Sequence, residues 1–130
     1  MPGTSSTFQF TINGSATAQV DHPGDSTTVA YTSAKEKGDG YYKGGDGIHT
    51  YEVKVTGFYG TVKIEASLAT EPTANDWFEV TGTEHTADPS DSTVNRTGSY
   101  MYNFTGNFVW LRAVVTNFTD GTVNHIRVNY

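Results

Sequence analysis

The sequence predicts an all-β domain, an antiparallel β-sandwich with a jelly-roll-like arrangement of strands. Three observations favour this class. Apolar and polar residues alternate with a period of two over several short stretches, which places successive side chains on opposite faces of a sheet. These stretches are rich in threonine and are separated by glycine, proline, asparagine and aspartate. Helical periodicity is sustained nowhere, so the crossover helices of a parallel sheet are missing.

A hairpin is predicted near the start of the chain. Phe8, Phe10 and Ile12 alternate with polar residues. Asn13-Gly14 follows, the dipeptide favoured where a two-residue turn needs positive φ. The alternation resumes over residues 16–20, which we predict as the second strand of the hairpin.

The other strands are predicted from the same alternation. Together with the hairpin they amount to about eight or nine short strands. In chain order they are predicted over Val29–Tyr31, Tyr51–Val55, Thr61–Leu68, Trp77–Val80, Tyr100–Phe104, Phe108–Val115 and Val123–Tyr130. Thr61–Leu68 alternates most cleanly, with Leu68 as its last inward residue, and Gly57–Gly60 is predicted as the tight connection that precedes it.

The remaining residues are predicted to form one arm and two long loops. Residues 1–7 are polar and are expected to be a mobile arm. Ser33–Gly47 and Thr83–Thr97 exceed the usual connection of about 4 to 6 residues and are placed at exposed ends of the sandwich. Because 130 residues fit the usual size of one domain, we expect residues 1–130 to form a single domain.

Composition excludes several classes of function. Cysteine is absent, which excludes disulfides, thiolate metal sites and a cysteine nucleophile. A net charge of -6 and a pI near 5.0 oppose binding to nucleic acid, which needs clustered Lys and Arg. No apolar run is long enough to span a membrane, and the first residues lack the basic and apolar regions of a signal peptide. We therefore expect no nucleic-acid or membrane partner, and synthesis in a cytoplasm.

Catalytic and metal-binding patterns are also missing. The histidines fall in no metal-ligand spacing, and neither G-x-S-x-G nor a phosphate-cradling glycine motif occurs. The carboxylates crowded over Glu71–Asp91 are typical of a solvated acidic loop. Asp39 and Asp46 stand among glycines as in a calcium loop, but their spacing does not fit an EF-hand and the nearby lysines oppose it. The sequence predicts no enzyme and no cofactor.

Phe108–Val115 fails to alternate cleanly and is the segment of most interest. Its outward side carries Phe108, Trp110 and Val114 and is interrupted only by Arg112. An antiparallel sheet usually leaves one face exposed to solvent. Because the outward side of this strand is apolar, we expect another group to cover it. A loop of the same chain, a neighbouring subunit and a sugar ring stacked on Trp110 are the three alternatives.

Three further aromatic residues are candidates for contacts with a subunit or a glycan. Trp77 and Phe78 point to opposite faces at a strand start, so one of them is inside, and a packing role for Trp77 is favoured. Tyr41 and Tyr42 are adjacent in the loop Lys35–Gly47, whose glycines are explained by turns that place both tyrosines outward.

Three stretches of the chain resemble a small β domain that recurs in structural proteins of tailed bacteriophages, especially cyanophages. They are Asp39–Thr50 (D-G-Y-Y-K-G-G-D-G-I-H-T), Gly60–Val80 and Phe104–Val123, and the resemblance covers roughly the C-terminal two-thirds of the chain. It implies a non-enzymatic virion protein, most simply an accessory or decoration protein on the capsid surface or attached to the tail or neck. Its partners would be other virion proteins and copies of itself, and it would be assembled in the host cytoplasm.

The alternative function belongs to another class. A carbohydrate-binding module that helps a particle adsorb to host surface glycans would use exposed aromatic rings. Tyr41, Tyr42, Trp77 and Trp110 are the residues that would serve it.

Overall fold

The computed structural model describes residues 5–42, 46–90 and 94–129, and it confirms an all-β, antiparallel β-sandwich. The strands in chain order are β1 (Ser5–Thr7), β2 (Phe10–Ile12), β3 (Ser15–Thr17), β4 (Val20–His22), β5 (Val29–Thr32), β6 (Glu36–Lys37), β7 (Ile48–Ser67), β8 (Phe78–Glu79), β9 (His85–Ala87), β10 (Gly98–Thr105) and β11 (Trp110–Asn129). A single 3-10 turn, η1 (Asp39–Tyr42), is the only helical segment in these ranges, and no helix there is long and apolar enough to cross a membrane.

Two strands are much longer than the sequence predicts. β7 and β11 each run for 20 residues, where two short strands were expected for each. They pair with each other from Trp110↔Ser67 to Asn129↔Thr50, with register shifts between Thr116 and His125. Gly57–Gly60, predicted as a connection between strands, is a bend inside β7.

Glycine makes this bend possible because the two strands approach each other closely there. Gly57 and Gly121 have φ values of 60° and 88°, a region that other residues enter only with strain. A Cβ atom on Gly121 would lie 2.2 Å from the carbonyl oxygen of Gly57. The bulged strands therefore turn together and carry the sheet from one layer into the next.

The bend divides the sheet into two layers. Layer A consists of residues 48–56 of β7 and 122–129 of β11 with β1, β4 and β10. Layer B consists of residues 60–67 of β7 and 110–118 of β11 with β5, β6, β8 and β9. The hairpin of β2 and β3 stands apart as a two-stranded sheet, and Asn13 and Gly14 take the predicted positive φ angles, 52° and 82°.

One apolar core lies between the layers. Its largest fully buried side chains include Tyr51, Phe8, Phe10, Phe58, Phe118, Ile64, Leu111 and Ile126. Tyr51 in layer A donates its hydroxyl hydrogen to the carbonyl oxygen of Thr83, beside β9, and burial raises the pKa of Tyr51 well above its usual range. His85 in layer B lies 2.7 Å from the Tyr102 hydroxyl and 2.9 Å from the Asn95 carbonyl oxygen. These polar contacts join the two layers along one edge.

Several boundaries differ from the sequence prediction. Ser5–Thr7 pairs with Asn129–Arg127, so the arm expected over residues 1–7 is a strand where it is described. The loops expected at Ser33–Gly47 and Thr83–Thr97 contain β6 and β9, two short strands whose hydrogen bonds come from β11 and β7. Leu68 lies beyond the end of β7 and is 63% exposed, because Ser67 takes the last buried position.

Candidate ligand-binding face

The outer surface of layer B carries most of the residues that the sequence singled out. Trp110 pairs with Ser67 and Arg112 pairs with Glu65, so these side chains share one face. Leu111, between them, is fully buried on the opposite face. We call the set Tyr41, Trp77, Trp110, Arg112, Lys35 and Lys37 the aromatic face.

Trp110 is fixed on this face by contacts on several sides. Its indole Nε1 donates a hydrogen bond to the carbonyl oxygen of Thr70, at 2.9 Å. The Tyr41 ring meets the indole edge-on, with 5.1 Å between ring centres. The Lys35 ammonium lies 4.5 Å from the centre of the indole ring. Loops of the same chain therefore cover part of the outward side of β11, the first of the three expected covers.

Tyr41 is held against Trp110 by the close seating of η1 on the chain before β11. Gly38 and Gly40 donate backbone hydrogen bonds to the carbonyl oxygens of Val109 and Phe108, each at 2.9 Å. Cβ atoms on these glycines would lie 2.3 Å and 2.5 Å from backbone oxygens of residues 108 and 107. Tyr41 points outward as predicted and is 42% exposed.

Both tyrosines of this segment were predicted as contact residues. At Tyr41, the centre of the ring lies 4.7 Å from the Lys37 ammonium. The side chain of Tyr42 lies outside the described residues.

The sequence predicts one ring of the Trp77–Phe78 pair inside, but neither is buried: Trp77 is half-buried on the outer face, and Phe78, paired with the inward-facing Ala66, remains exposed. The Arg112 guanidinium carbon is 4.3 Å from the centre of the Trp77 ring. The Arg112 Nη2 and Nε atoms lie 2.6 Å and 2.8 Å from Oε1 of Glu65. The Phe78 ring turns towards Phe108, at 5.8 Å, although it remains 41% exposed.

Phe108 does not belong to the aromatic face, contrary to the sequence prediction. β11 begins at Trp110, so the alternation of a strand does not extend to Phe108. Its ring packs instead on the core side, 6.2 Å from Phe104 and 6.0 Å from His49. The structure thus brings together Tyr41, Trp77, Trp110 and Arg112 and leaves Phe108 out.

Two lysines and one backbone carbonyl group of this face were not predicted from the sequence. Lys35 and Lys37 are two residues apart around β6, so an extended backbone places them on one side. The spacing of two residues indicates that both lysines lie on one face of a strand, but the prediction placed this segment in a loop. The Thr70 carbonyl gave no signal, because any residue supplies one.

The loop that was considered as a calcium site uses its carboxylates for backbone hydrogen bonds. Asp39 accepts one from Gly47 at 2.7 Å, and Asp46 accepts one from Ile48 at 3.0 Å. Over the described part of the chain, no three His, Asp or Glu side chains are grouped as metal ligands.

A concave feature lies at the other end of the same surface. Thr61 and Thr86 are cross-strand partners there, with their hydroxyl oxygens 3.2 Å apart. They open into a groove of about 210 Å³, whose lining residues are Gly60, Thr61, Thr86, Ala87, Asp88, Pro89, Asn117 and Thr119. None of these is aromatic, so the groove offers hydrogen bonds without a stacking surface.

Comparison with known proteins defines the fold. No family model matches the sequence, and no curated protein matches it. Among solved structures, the C-terminal CBM6 of LamC, a marine laminarinase from Zobellia galactanivorans, aligns with 98% of this chain and 100% of its own, at 7% identity and a TM-score of 0.52. A family 29 carbohydrate-binding module from Piromyces equi, CBM29_1, aligns with 100% of this chain and 93% of its own, at 12% identity and a TM-score of 0.50. The chain therefore has a β-sandwich fold of the kind found in these carbohydrate-binding modules.

Proposed function

We propose that this chain is a non-catalytic carbohydrate-binding module and that the aromatic face is its glycan site. The observation that carries the proposal is the Tyr41–Trp110 pair, two rings held at 5.1 Å on an outward sheet surface. The fold supports it, because both structures reported above are carbohydrate-binding modules.

The aromatic rings would supply the main contact area. The less polar side of a pyranose ring can lie on an indole, while its hydroxyl groups stay at the edge and form hydrogen bonds. Trp110 is held by the Thr70 carbonyl, so little side-chain freedom remains to be lost on binding. Glu65 and Arg112, which are ion-paired beside the rings, offer an acceptor and a donor for sugar hydroxyls.

Lys35 would act as a displaceable cover of the ring. Its ammonium rests 4.5 Å from the centre of the Trp110 ring, a contact worth about 0.5–1 kcal/mol at an exposed site. A sugar ring that stacks on the indole replaces this contact at small cost. The same movement frees the ammonium to meet the ligand.

A binding role fits the carboxylates of this surface better than catalysis does. Glycoside hydrolysis uses two carboxyl groups, one as an acid and one as a base or nucleophile. Glu65 is held by Arg112, and Glu79 lies 3.7 Å from the Lys63 ammonium. Both carboxylates thus lie beside cations on an open surface, and Glu79 also shares a hydrogen bond with Glu84, which raises the pKa of Glu84.

The virion role implied by the resemblance to bacteriophage domains stays a prediction, together with its capsid, tail or neck location and its homo-oligomer. A glycan-binding module on a particle surface would serve adsorption to a host. The two proposals are therefore compatible.

A glycan array with the purified chain tests the proposal. We expect saturable binding to at least one class of oligosaccharide, lost in Trp110→Ala and retained in Thr86→Val, which alters only the groove. Absence of saturable binding to every glycan would overturn the function. Binding that survives Trp110→Ala but is lost in Thr86→Val would move the site to the groove.

A further inference from the structure

We infer that two copies of this chain pair edge to edge through β10, as antiparallel strands of one continuous sheet. β10 belongs to layer A, so this interface is separate from the aromatic face on layer B. The basis of the inference is that β10 forms a long sheet edge without the features that usually prevent pairing.

β10 differs in length from every other edge strand that the structure describes. It has eight residues, Gly98–Thr105, and pairs with β7 on one side only. The other strands that pair on one side only have two to four residues each. Natural sheets avoid unwanted pairing through very short edge strands. β10 lacks this protection.

The sequence of β10 also lacks the residues that interrupt sheet edges. Lysine, proline, inward-pointing charges and β-bulges serve this purpose in natural sheets. Residues 98–105, G-S-Y-M-Y-N-F-T, include no lysine, no proline and no charged side chain, and their register with β7 is unbroken from Gly98↔Val55 to Thr105↔Ile48. An uncharged strand that is rich in aromatic residues has a high tendency to pair with another strand.

The outer edge of β10 is accessible. Tyr100 and Tyr102 point towards layer B, where both contact His85, yet both are only half-buried. Between the described residues, no backbone–backbone hydrogen bond of β10 lies outside its ladder with β7. The edge of β9 differs, because Asn95 donates a side-chain hydrogen bond to the Thr86 carbonyl oxygen at 2.8 Å. The N–H and C=O groups that β10 turns away from β7 are therefore available to a partner strand.

A second copy of the chain fits this edge by symmetry. A twofold axis normal to the sheet places the outward N–H groups of one β10 opposite C=O groups of the other. The chain carries a net charge of -6, so two copies repel each other over much of their surface, whereas β10 brings no charge into the contact. Because the described part of each chain has one such edge, pairing ends at a dimer and does not continue into a filament.

The same axis leaves both copies of layer B on one side of the joined sheet. Their aromatic faces then point in the same direction. Together with the proposed function, on which this consequence rests, the arrangement makes the dimer bivalent for glycans on a surface. The dimer itself does not depend on glycan binding.

Sedimentation velocity of the purified chain over a concentration series measures the pairing. We expect a monomer–dimer equilibrium whose dimer fraction rises through the micromolar range, without larger species. Hydrogen exchange at the lowest and highest concentrations locates the interface, because residues 98–105 should exchange more slowly in the dimer while β5 stays unchanged. A monomer at every concentration would overturn the inference and leave glycan binding intact. A dimer without added protection of residues 98–105 would also overturn it, since the contact would then lie on another surface.

The variant Met101→Lys tests the edge without disturbing the core, because Met101 is 58% exposed. Two lysines brought together across the paired strands should weaken the dimer about tenfold or more. Leu68→Lys, at a side chain that is 63% exposed beyond the end of β7, is the matched control and should dimerise like the unaltered chain. Circular dichroism should show both variants folded. Equal dimerisation of the folded Met101→Lys variant and the unaltered chain would overturn pairing through β10, as would equal weakening by both substitutions.

Discussion

The guanidinium carbon of Arg112 lies 4.3 Å from the centre of the Trp77 ring, while its nitrogen atoms bind Glu65. One planar group thus serves two neighbours, an indole face and a carboxylate. Lysine, a compact charge without a planar fork, cannot do both. The pairing explains why the single charge in the outward row of Phe108–Val115 is an arginine.

Arg112→Lys is therefore expected to destabilise the fold in spite of its unchanged charge. The loss of stacking and of the second hydrogen bond to Glu65 should lower the free energy of unfolding by about 1 kcal/mol. Arg127→Lys, on the exposed surface of layer A, is the matched control and should stay within about 0.5 kcal/mol. Urea unfolding of both variants gives the comparison, and equal stability would contradict the structural role of the stacked guanidinium.

The variant Trp110→Phe separates the contribution of the aromatic ring to binding from that of the indole hydrogen bond to Thr70. The variant keeps an aromatic surface but cannot donate to the Thr70 carbonyl, now at 2.9 Å. We expect glycan affinity between those of the unaltered chain and Trp110→Ala, which should lose about tenfold or more, or about 1.4 kcal/mol. Isothermal titration with one glycan that binds on the array measures all three. Identical affinities of the Phe variant and the unaltered chain would mean that the anchor does not orient the ring for binding.

Two glycines with nearly the same backbone angle test the bend between the layers. Gly121 and Gly82 have φ values of 88° and 87°, but a Cβ atom meets the Gly57 carbonyl oxygen only at Gly121 and meets nothing within 4 Å at Gly82. Gly82→Ala should cost about 1–2 kcal/mol, the penalty of the left-handed conformation alone. Gly121→Ala should cost clearly more or prevent folding.

The comparison of Gly121→Ala with Gly82→Ala is made by thermal unfolding of the purified variants. Equal shifts in melting temperature would indicate that the close approach of the two strands contributes nothing. The soluble yield of each variant provides a second reading, because a chain that cannot bend should not fold at all.

Lowering the pH is expected to decrease the free energy of unfolding because of His85. Burial lowers the pKa of His85, and the hydrogen bond to the Asn95 carbonyl only partly opposes this. As the pH falls below about 6.5, the unfolded chain takes up a proton that the folded chain resists, so the unfolding free energy declines. The slope from one such histidine is at most about 1.4 kcal/mol per pH unit.

Urea unfolding between about pH 5 and pH 7 tests this expectation. His85→Gln removes the titrating group and should show a shallower decline than the unaltered chain. His49, whose pKa is also lowered by burial, remains in both proteins and contributes to the residual slope. Parallel curves would exclude His85 as a source of the pH dependence.

Local signals in the sequence predicted the class of the fold and parts of its geometry. Asn13-Gly14 specifies its turn by backbone preference alone, and the alternation in Thr61–Ser67 specifies its buried face. Gly57–Gly60 misled because glycine permits both a turn between strands and a bend within one, and the choice depends on the partner strand. β6 and β9 were missed because they are two and three residues long and exist through pairing with longer strands.

The candidate site was predicted only in part, because some of its residues follow local patterns and others depend on contacts between distant segments. Trp110 and Arg112 follow from strand alternation, which is local, whereas the face on which Trp77 lies was left open. Phe108 was misplaced because the start of β11 depends on where the preceding loop is seated. The contacts of Lys35 with Trp110 join residues far apart in sequence, which no local pattern reveals.

The sharing of β7 and β11 between the layers has one more consequence. Because β7 and β11 run through both layers, neither layer can unfold while the other stays intact. Unfolding should therefore be a single cooperative event. A ligand that binds to the outer surface of layer B would then also slow amide hydrogen exchange throughout layer A, on the far side of the protein.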